Sequence, residues 1–360
     1  MIKLNWGIVG AGNIAEHFVY DLKVNNQLKH KTVIHRVVSI GASSIEKGEK
    51  WIHDNDFNMK NNDNFVPKVE LYDDFYNNKL VDVVYISSPH HAHKNQVILA
   101  LNGGKHVLVE KPITLDKKQL VEIYDLATEK NLFVMEGVWT RFFPILLRLK
   151  ELVYTDKILG EITRLFVDFC SLADIPNLPT SHRLRDINIG ASALLDIGVY
   201  AMTYARTLLD ERVGKEHTKF DIKSFLKIDK TDKVDHLGAA LVNYTSGRLG
   251  ILSWSQYTPV KKPFATLEGT LGQADLYGEN PACPEKIVIK FYDSSKLDIV
   301  METDSTYRGF IYEANAVALD ISKGKLQNDL MPLDESLLVM GMMDSIRESS
   351  GFKYPHEELI

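Results

Sequence analysis

The chain has 360 residues, of which 45% are hydrophobic, 25% charged and 9% aromatic. This composition excludes general disorder, collagen-like repetition and coiled coil, and the length exceeds the roughly 250–300 residues at which single cores stop growing, so two domains are expected. Its 42 basic and 48 acidic residues leave a net charge of −6, with the basic residues scattered along the chain, which argues against nucleic acid or an acidic membrane surface as the main partner.

In chain order, β-rich runs at Leu4–Val9, Val33–Ile40, Val81–Ser87, His106–Val109 and Leu132–Met135 alternate with helical patterns at Asn13–Val24, Glu46–Asp54, His93–Leu101 and Lys117–Glu129. Continuous Val/Ile-rich strands between helices predict a parallel sheet covered on both faces. Such a sheet binds ligands at the carboxyl ends of its strands, where the strand order reverses. Near residue 140 the pattern changes. A helical stretch, Ile145–Leu152, and a strand-like run, Glu161–Phe169, lead through a polar loop to a second helical stretch, Ala191–Leu209. Alternating runs follow at Gly238–Tyr244, Arg248–Trp254, Phe264–Glu268, Gln273–Tyr277 and Lys286–Tyr292. Without helices between them, they predict an antiparallel sheet, with Thr245-Ser246-Gly247 as one hairpin turn. Helical patterns at Tyr312–Ser322 and Leu333–Arg347 close the chain.

Two cysteines, Cys170 and Cys283, fit neither a disulfide framework nor a zinc cluster, and a reducing compartment is the simpler reading. No run approaches the roughly 18 apolar residues that span a bilayer, and the first apolar run leads into a glycine turn rather than a cleavage site. The expected location is cytoplasmic, with no membrane partner. The sequon Asn243-Tyr244-Thr245 is expected to be strand.

Gly10-Ala11-Gly12-Asn13-Ile14-Ala15 stands where the first strand meets the first helix. Gly10 allows the tight turn, Gly12 lets a pyrophosphate approach the backbone, and small Ala15 lets helix and strand pack closely. The helix start at Asn13 and Ile14 supplies free N–H groups and a partial positive charge. The second strand runs into Gly41-Ala42-Ser43-Ser44. No carboxylate stands there to hold a ribose 2′-hydroxyl, whereas Ser43 and Ser44, with Lys47 nearby, suit a 2′-phosphate, so the expected cofactor is NADP. Ser88-Pro89-His90-His91-Ala92-His93 lies at a strand end, where a nicotinamide would pass. The histidines have no Asp, Glu or Cys companion at ligand spacing, so no metal is expected. His106–Val109 ends in Glu110-Lys111-Pro112. A lysine at a strand's carboxyl end points into the cofactor crevice, and Pro112 fixes the turn, where a cis bond would help aim it. Ser88, Pro89, His90, His93, Glu110 and Lys111 thus join the glycine turn and the serine tip as the expected cofactor-binding set.

Together these motifs resemble the Gfo/Idh/MocA family of oxidoreductases, and the likeness extends over nearly the whole chain. The resemblance implies an α/β protein: an N-terminal Rossmann domain, residues 1–138, that binds NADP, then a substrate-binding and oligomerisation domain, residues 139–360, with a large open, mostly antiparallel sheet. It also implies that Lys111 is catalytic and that the chain forms a homodimer through that sheet. The family's second domain usually carries Asp-x-Gly-x-His, but this chain reads Asp196-Ile197-Gly198-Val199-Tyr200. With Trp139-Thr140-Arg141-Phe142 and Ser181-His182-Arg183, the tyrosine resembles the subgroup of dimeric dihydrodiol dehydrogenase and NADP-dependent D-xylose 1-dehydrogenase. The implied reaction is hydride transfer between NADP and an aldose, at C1, or a trans-dihydrodiol.

Oxidising an alcohol needs a base as well as a hydride acceptor. Tyrosine, with a reference pKa of roughly 10, is a poor base near neutrality unless a cation favours the phenolate. Lys111 supplies that charge, so Tyr200 is expected to exchange the proton while Lys111 lowers its pKa and hydrogen-bonds the reacting oxygen. The reverse allocation stays open. Asp196, one turn earlier, is expected to bind a second substrate hydroxyl or orient Lys111. Trp139 and Phe142 serve as an aromatic wall or as packing, and Arg141 and Arg183 complete the substrate set. Alternatives are a reductase of a dicarbonyl or anhydro-ketose sugar, which uses the same residues in reverse, and an NAD-dependent glycosidase of the same fold. Tyr200 and the serine tip argue against the glycosidase.

Overall fold

A computed structural model describes residues 1–55, 66–214 and 219–357. The chain runs β1 (Ile2–Val9), α1 (Asn13–Gln27), β2 (Val33–Ala42), α2 (Ile45–Asp54), β3 (Lys68–Leu71), α3 (Tyr72–Asn77), β4 (Val83–Ile86), α4 (His90–Asn102), β5 (His106–Glu110), α5 (Lys117–Lys130) and β6 (Val134–Gly137). It continues through α6 (Pro144–Tyr154), β7 (Ile162–Cys170), a π-helical turn (Leu194–Gly198), α7 (Val199–Leu208), β8 (Phe220–Ile228), β9 (Asp235–Tyr244) and β10 (Leu249–Ser255). Then come β11 (Ala265–Gly269), β12 (Gly272–Tyr277), β13 (Lys286–Phe291), β14 (Ile299–Glu302), α8 (Phe310–Ser322) and α9 (Leu333–Ser349).

Two compact units result, and the division differs from the expected single break after residue 138. The first unit holds Met1–Thr114, Lys118–Gly137 and also Ser305–Leu333; the second holds Leu115–Lys117, Val138–Asp304 and Asp334–Ile360. The chain therefore returns to the first unit with α8. The reason is local and physical. Asp21 of α1 accepts the backbone N–H groups of Arg308 and Gly309, each at 2.8 Å, and of Ile311 at 3.2 Å. A carboxylate from a neighbouring helix thus serves donors that α8 itself leaves unpaired. One face of α8, with Phe310, Ala314 and Val317, is buried at helical spacing.

In the first unit the sheet order is β3-β2-β1-β4-β5-β6, and every pair is parallel. All residues of β4 are buried, as a strand covered on both faces requires. The reversal of order lies between β1 and β4, so the ligand crevice of this fold is at the ends of those strands. The edge strand β3 was not foreseen: four residues with Lys68 and Glu70 carry no apolar run.

In the second unit eight strands run β14-β13-β12-β11-β7-β10-β9-β8, antiparallel except for the parallel pair β7–β10. The expected antiparallel hairpins are present, and Asn243 of the sequon is in β9. The fully buried Trp254 of β10 explains two glycines: a Cβ at Gly238 would stand 2.4 Å from its ring, and one at Gly198 3.1 Å. One helix expected over Ala191–Leu209 is instead a π turn followed by α7. Among the described residues no helix is long and apolar enough to cross a membrane.

Candidate active site

The glycine turn is built as its residue types require. Gly10 has φ +87°, and a Cβ there would lie 2.4 Å from the Ser88 amide nitrogen, so neither conformation nor space admits a side chain. Ser87 Oγ donates to the Gly10 carbonyl at 2.8 Å and joins the ends of β1 and β4 at the order reversal. Gly12 precedes α1, and a Cβ on it would meet nothing within 4 Å, which leaves its backbone open to a bulky ligand. Asn13 and Ile14 start the helix with exposed side chains, and Ala15 is buried against the sheet. These residues fit a pyrophosphate on a helix N-terminus. At the tip of β2, Ser43 is exposed, and Ser44 caps α2 by accepting the Lys47 amide at 3.4 Å. No acidic residue occupies Gly41–Ser44, and the α2 N-terminus beside the serines suits a phosphate.

Lys111 follows β5 on a turn held from several sides. Its peptide bond to Pro112 is cis. Its amide donates to Glu110 Oε2 at 3.3 Å, and the Ile113 amide donates to Glu136 Oε1 at 3.0 Å. The His93 ring lies between the Pro112 and Ser88 carbonyls, 2.8 Å from each. Burial pushes its pKa down to about 4, against the two carbonyl contacts, which favour the charged ring. Two expectations change here. His93 does not start the next helix; α4 starts at His90, and the buried His93 ring bridges the loops after β4 and β5. Glu110 is likewise buried and accepts the Tyr85 hydroxyl at 2.5 Å, so its task is to hold the Lys111 turn. Ser88, Pro89 and His90 remain at the β4–α4 junction, with the Ser88 hydroxyl bonded to Gln96.

Sequence reasoning missed Glu313 on α8. It is 0% exposed, and neither carboxylate oxygen has a hydrogen-bond partner. A Cβ on Gly137 would stand 3.7 Å from Glu313 Oε1, and the negative charge of the buried Glu110 bears on Glu313. Burial first, then the negative charges of Glu110 and Asp21, push the Glu313 carboxyl well above the usual range. A glutamate on the buried face of an apolar helix was the available signal.

In the second unit Tyr200, 6% exposed, follows the π turn in α7. Its ring stacks on Phe169 with centroids 5.0 Å apart and planes at 8°. Its hydroxyl oxygen accepts the Trp139 indole N–H at 2.9 Å. Asp196 belongs to the π turn and pairs with Arg183 at 3.4 Å. The turn's signature bond runs from the Val199 amide to the Leu194 carbonyl, five residues back. Gly198 is needed there because Trp254 packs on that backbone. The motif's aspartate, glycine and tyrosine thus have three distinct physical reasons.

Arg141 is a correction. It is 3% exposed, with Nη2 2.6 Å from Glu335 Oε1. Arg206 binds the same carboxylate through Nε at 2.9 Å and Nη2 at 2.8 Å. Against the upward push of burial, the two guanidiniums hold Glu335 down to about 2. The Arg141 guanidinium thus belongs to an internal ion cluster with Glu335 and Arg206. Trp139 changes role as well: its indole N–H is committed to Tyr200, so it braces the phenol. Phe142 is buried beside it in sequence. Among the described residues no group of His, Cys, Asp and Glu is arranged to hold a metal ion.

Comparison with known proteins adds the following. The family model described as oxidoreductase family, NAD-binding Rossmann fold, matches residues 4–138, and the Gfo/Idh/MocA C-terminal domain model matches residues 146–275. The NADP-dependent D-xylose 1-dehydrogenase of Hypocrea jecorina is 27% identical over 98% of this chain and 93% of its own length. The trans-1,2-dihydrobenzene-1,2-diol dehydrogenase of Xenopus tropicalis is 28% identical over 97% of this chain and 99% of its own. Among solved structures, a 3-ketoreductase from Actinomadura kijaniata in complex with NADP superposes with a TM-score of 0.78 at 21% identity, covering 97% of this chain and 98% of its own. A levoglucosan dehydrogenase reaches 0.80 at 18% identity, covering 97% of both chains.

Proposed function

Because the chain belongs to the Gfo/Idh/MocA family of oxidoreductases, we propose that it is an NADP-dependent dehydrogenase acting on an aldose at C1, such as D-xylose, or on a trans-dihydrodiol. The observation that carries this reading is Tyr200, held by ring and by oxygen at the place where the family pattern usually has histidine. An indole N–H donated to that oxygen favours the phenolate, the form that removes a proton. Lys111, aimed by the clamped turn after β5, supplies a positive charge for the same purpose and a donor for the reacting oxygen.

The open backbone at Gly12 and the serine tip of β2 would hold NADP, which when bound accepts the hydride from the alcohol carbon. Tyr200 takes the hydroxyl proton, the carbon–oxygen bond becomes a carbonyl, and Lys111 hydrogen-bonds that oxygen throughout. Asp196 and Arg183 bind a neighbouring hydroxyl, which suits both a sugar and a vicinal diol. The chain pairs as a homodimer through the open face of the second unit's sheet. Phe225 and Leu241, 68% and 47% exposed, support this. Two free cysteines support a cytoplasmic location.

The test is a screen for NADP reduction across aldoses, polyols and dihydrodiols, with a Tyr200→Phe control. At least one aldose or dihydrodiol should yield NADPH, and the control should lose about a hundredfold or more in turnover. Sugar released from a nitrophenyl glycoside with NAD, and no NADPH from any alcohol, would overturn the reading.

A further inference from the structure

Asp235 is the first residue of β9, 0% exposed, and takes no part in the chemistry described above. Its Oδ2 accepts the Leu194 amide N–H at 2.7 Å, from a residue 41 positions earlier. Leu194 opens the π turn that carries Asp196 and leads into Tyr200. The next amide, Leu195, donates to Ser192 Oγ at 3.2 Å, and the Asp196 amide donates to the Ser192 carbonyl at 2.9 Å. The wide turn leaves N-terminal amides that its own backbone does not serve, and a carboxylate on a neighbouring strand serves the first of them.

We propose that Asp235 is a positioning residue: its buried carboxylate fixes the start of the π turn and thereby the placement of Asp196 and Tyr200. A carboxylate–amide bond in a dry site is stronger and shorter than a neutral one, so the ionised side chain fixes the turn more tightly than the acid does. Burial pushes the Asp235 carboxyl up to about 6, while Ser192 and the Leu194 amide support the charged form. Other ionisable groups surround it among the described residues. His236, beside it on β9, has its ring on Gln256 at 2.9 Å and on Asp232 at 3.2 Å. Asp232 is itself paired with Arg185 at 2.8 Å. Tyr354 faces Asp235 from the C-terminal segment, with Arg347 and Asp344 of α9 behind it. Turnover should therefore fall as acid protonates Asp235 and loosens the turn.

The inference rests on Tyr200 being catalytic, so Tyr200→Phe is assayed alongside. Asp235→Asn keeps the shape and removes the charge. The variant should lose about tenfold in kcat with NADP affinity unchanged, and its profile should lack the extra break near pH 6 that Asp235 adds to the acid limb of Tyr200 in the unaltered protein. In the unaltered protein the Leu194 amide NMR shift should titrate with a midpoint of about 6, a readout that needs no variant to fold. An Asn variant with unchanged kcat and the same acid limb, or a Leu194 amide that does not titrate between about pH 5 and 8, would overturn the inference. Full activity in Tyr200→Phe would instead overturn the function it rests on.

Discussion

At the scale of single residues, the second unit's candidate catalytic group is defined by what touches it. Tyr200 accepts the Trp139 indole N–H and stacks on Phe169. Trp139→Phe keeps an aromatic side chain and removes the donor. The phenolate then loses a supporting hydrogen bond, its pKa rises, and kcat near neutrality should fall about tenfold, with the pH profile displaced to the alkaline side. An unchanged profile in steady-state kinetics would show that the indole only packs. Local chemistry made Gly10, Lys111 and Tyr200 legible, because a turn, a strand end and a motif are properties of neighbouring residues. The Trp139–Tyr200 and Asp235–Leu194 bonds were not legible, since each joins residues 61 or 41 positions apart whose approach only the fold decides.

At the scale of elements, α8 shows how a helix far along the chain completes the first unit. Asp21 holds its start, and Glu313 one turn later enters a site without a partner. Such a carboxyl keeps its proton in the folded state long after the unfolded chain has released it. Its contribution to stability is therefore fully present below the unfolded pKa, roughly pH 4, and is lost as pH rises toward the raised folded value. Glu313→Gln carries no ionisable proton and avoids that loss. Thermal melts should match the unaltered protein at or below roughly pH 4 and exceed it increasingly toward pH 9, by roughly 1 kcal/mol or more. A variant less stable at alkaline pH would mean that the carboxylate is charged and satisfied. The alternating strands and helices were readable because apolar runs mark strands covered on both faces. The π turn was not: Leu194–Gly198 reads as ordinary helix, and its contacts with Trp254 and Asp235 come from residues far along the chain.

At the scale of the whole molecule, chain length led to the expectation of two domains, and nothing in the sequence announces that residues 305–333 belong with the first unit. Segment membership depends on long-range burial of α8, which no linker-like composition announces. Phe225 and Leu241 are exposed on the second unit's sheet, and for the proposed homodimer sedimentation should find a dimer that Phe225→Glu weakens; a monomer at micromolar concentration would contradict the pairing. The central claim is that Lys111 acts on the reacting oxygen. Lys111→Met tests it most directly, in a variant characterised by NADP titration and by turnover on the best substrate of the screen. The account predicts unchanged NADP affinity with turnover lost by at least about a thousandfold. A Lys111→Met protein that binds NADP and turns over at the original rate would contradict it.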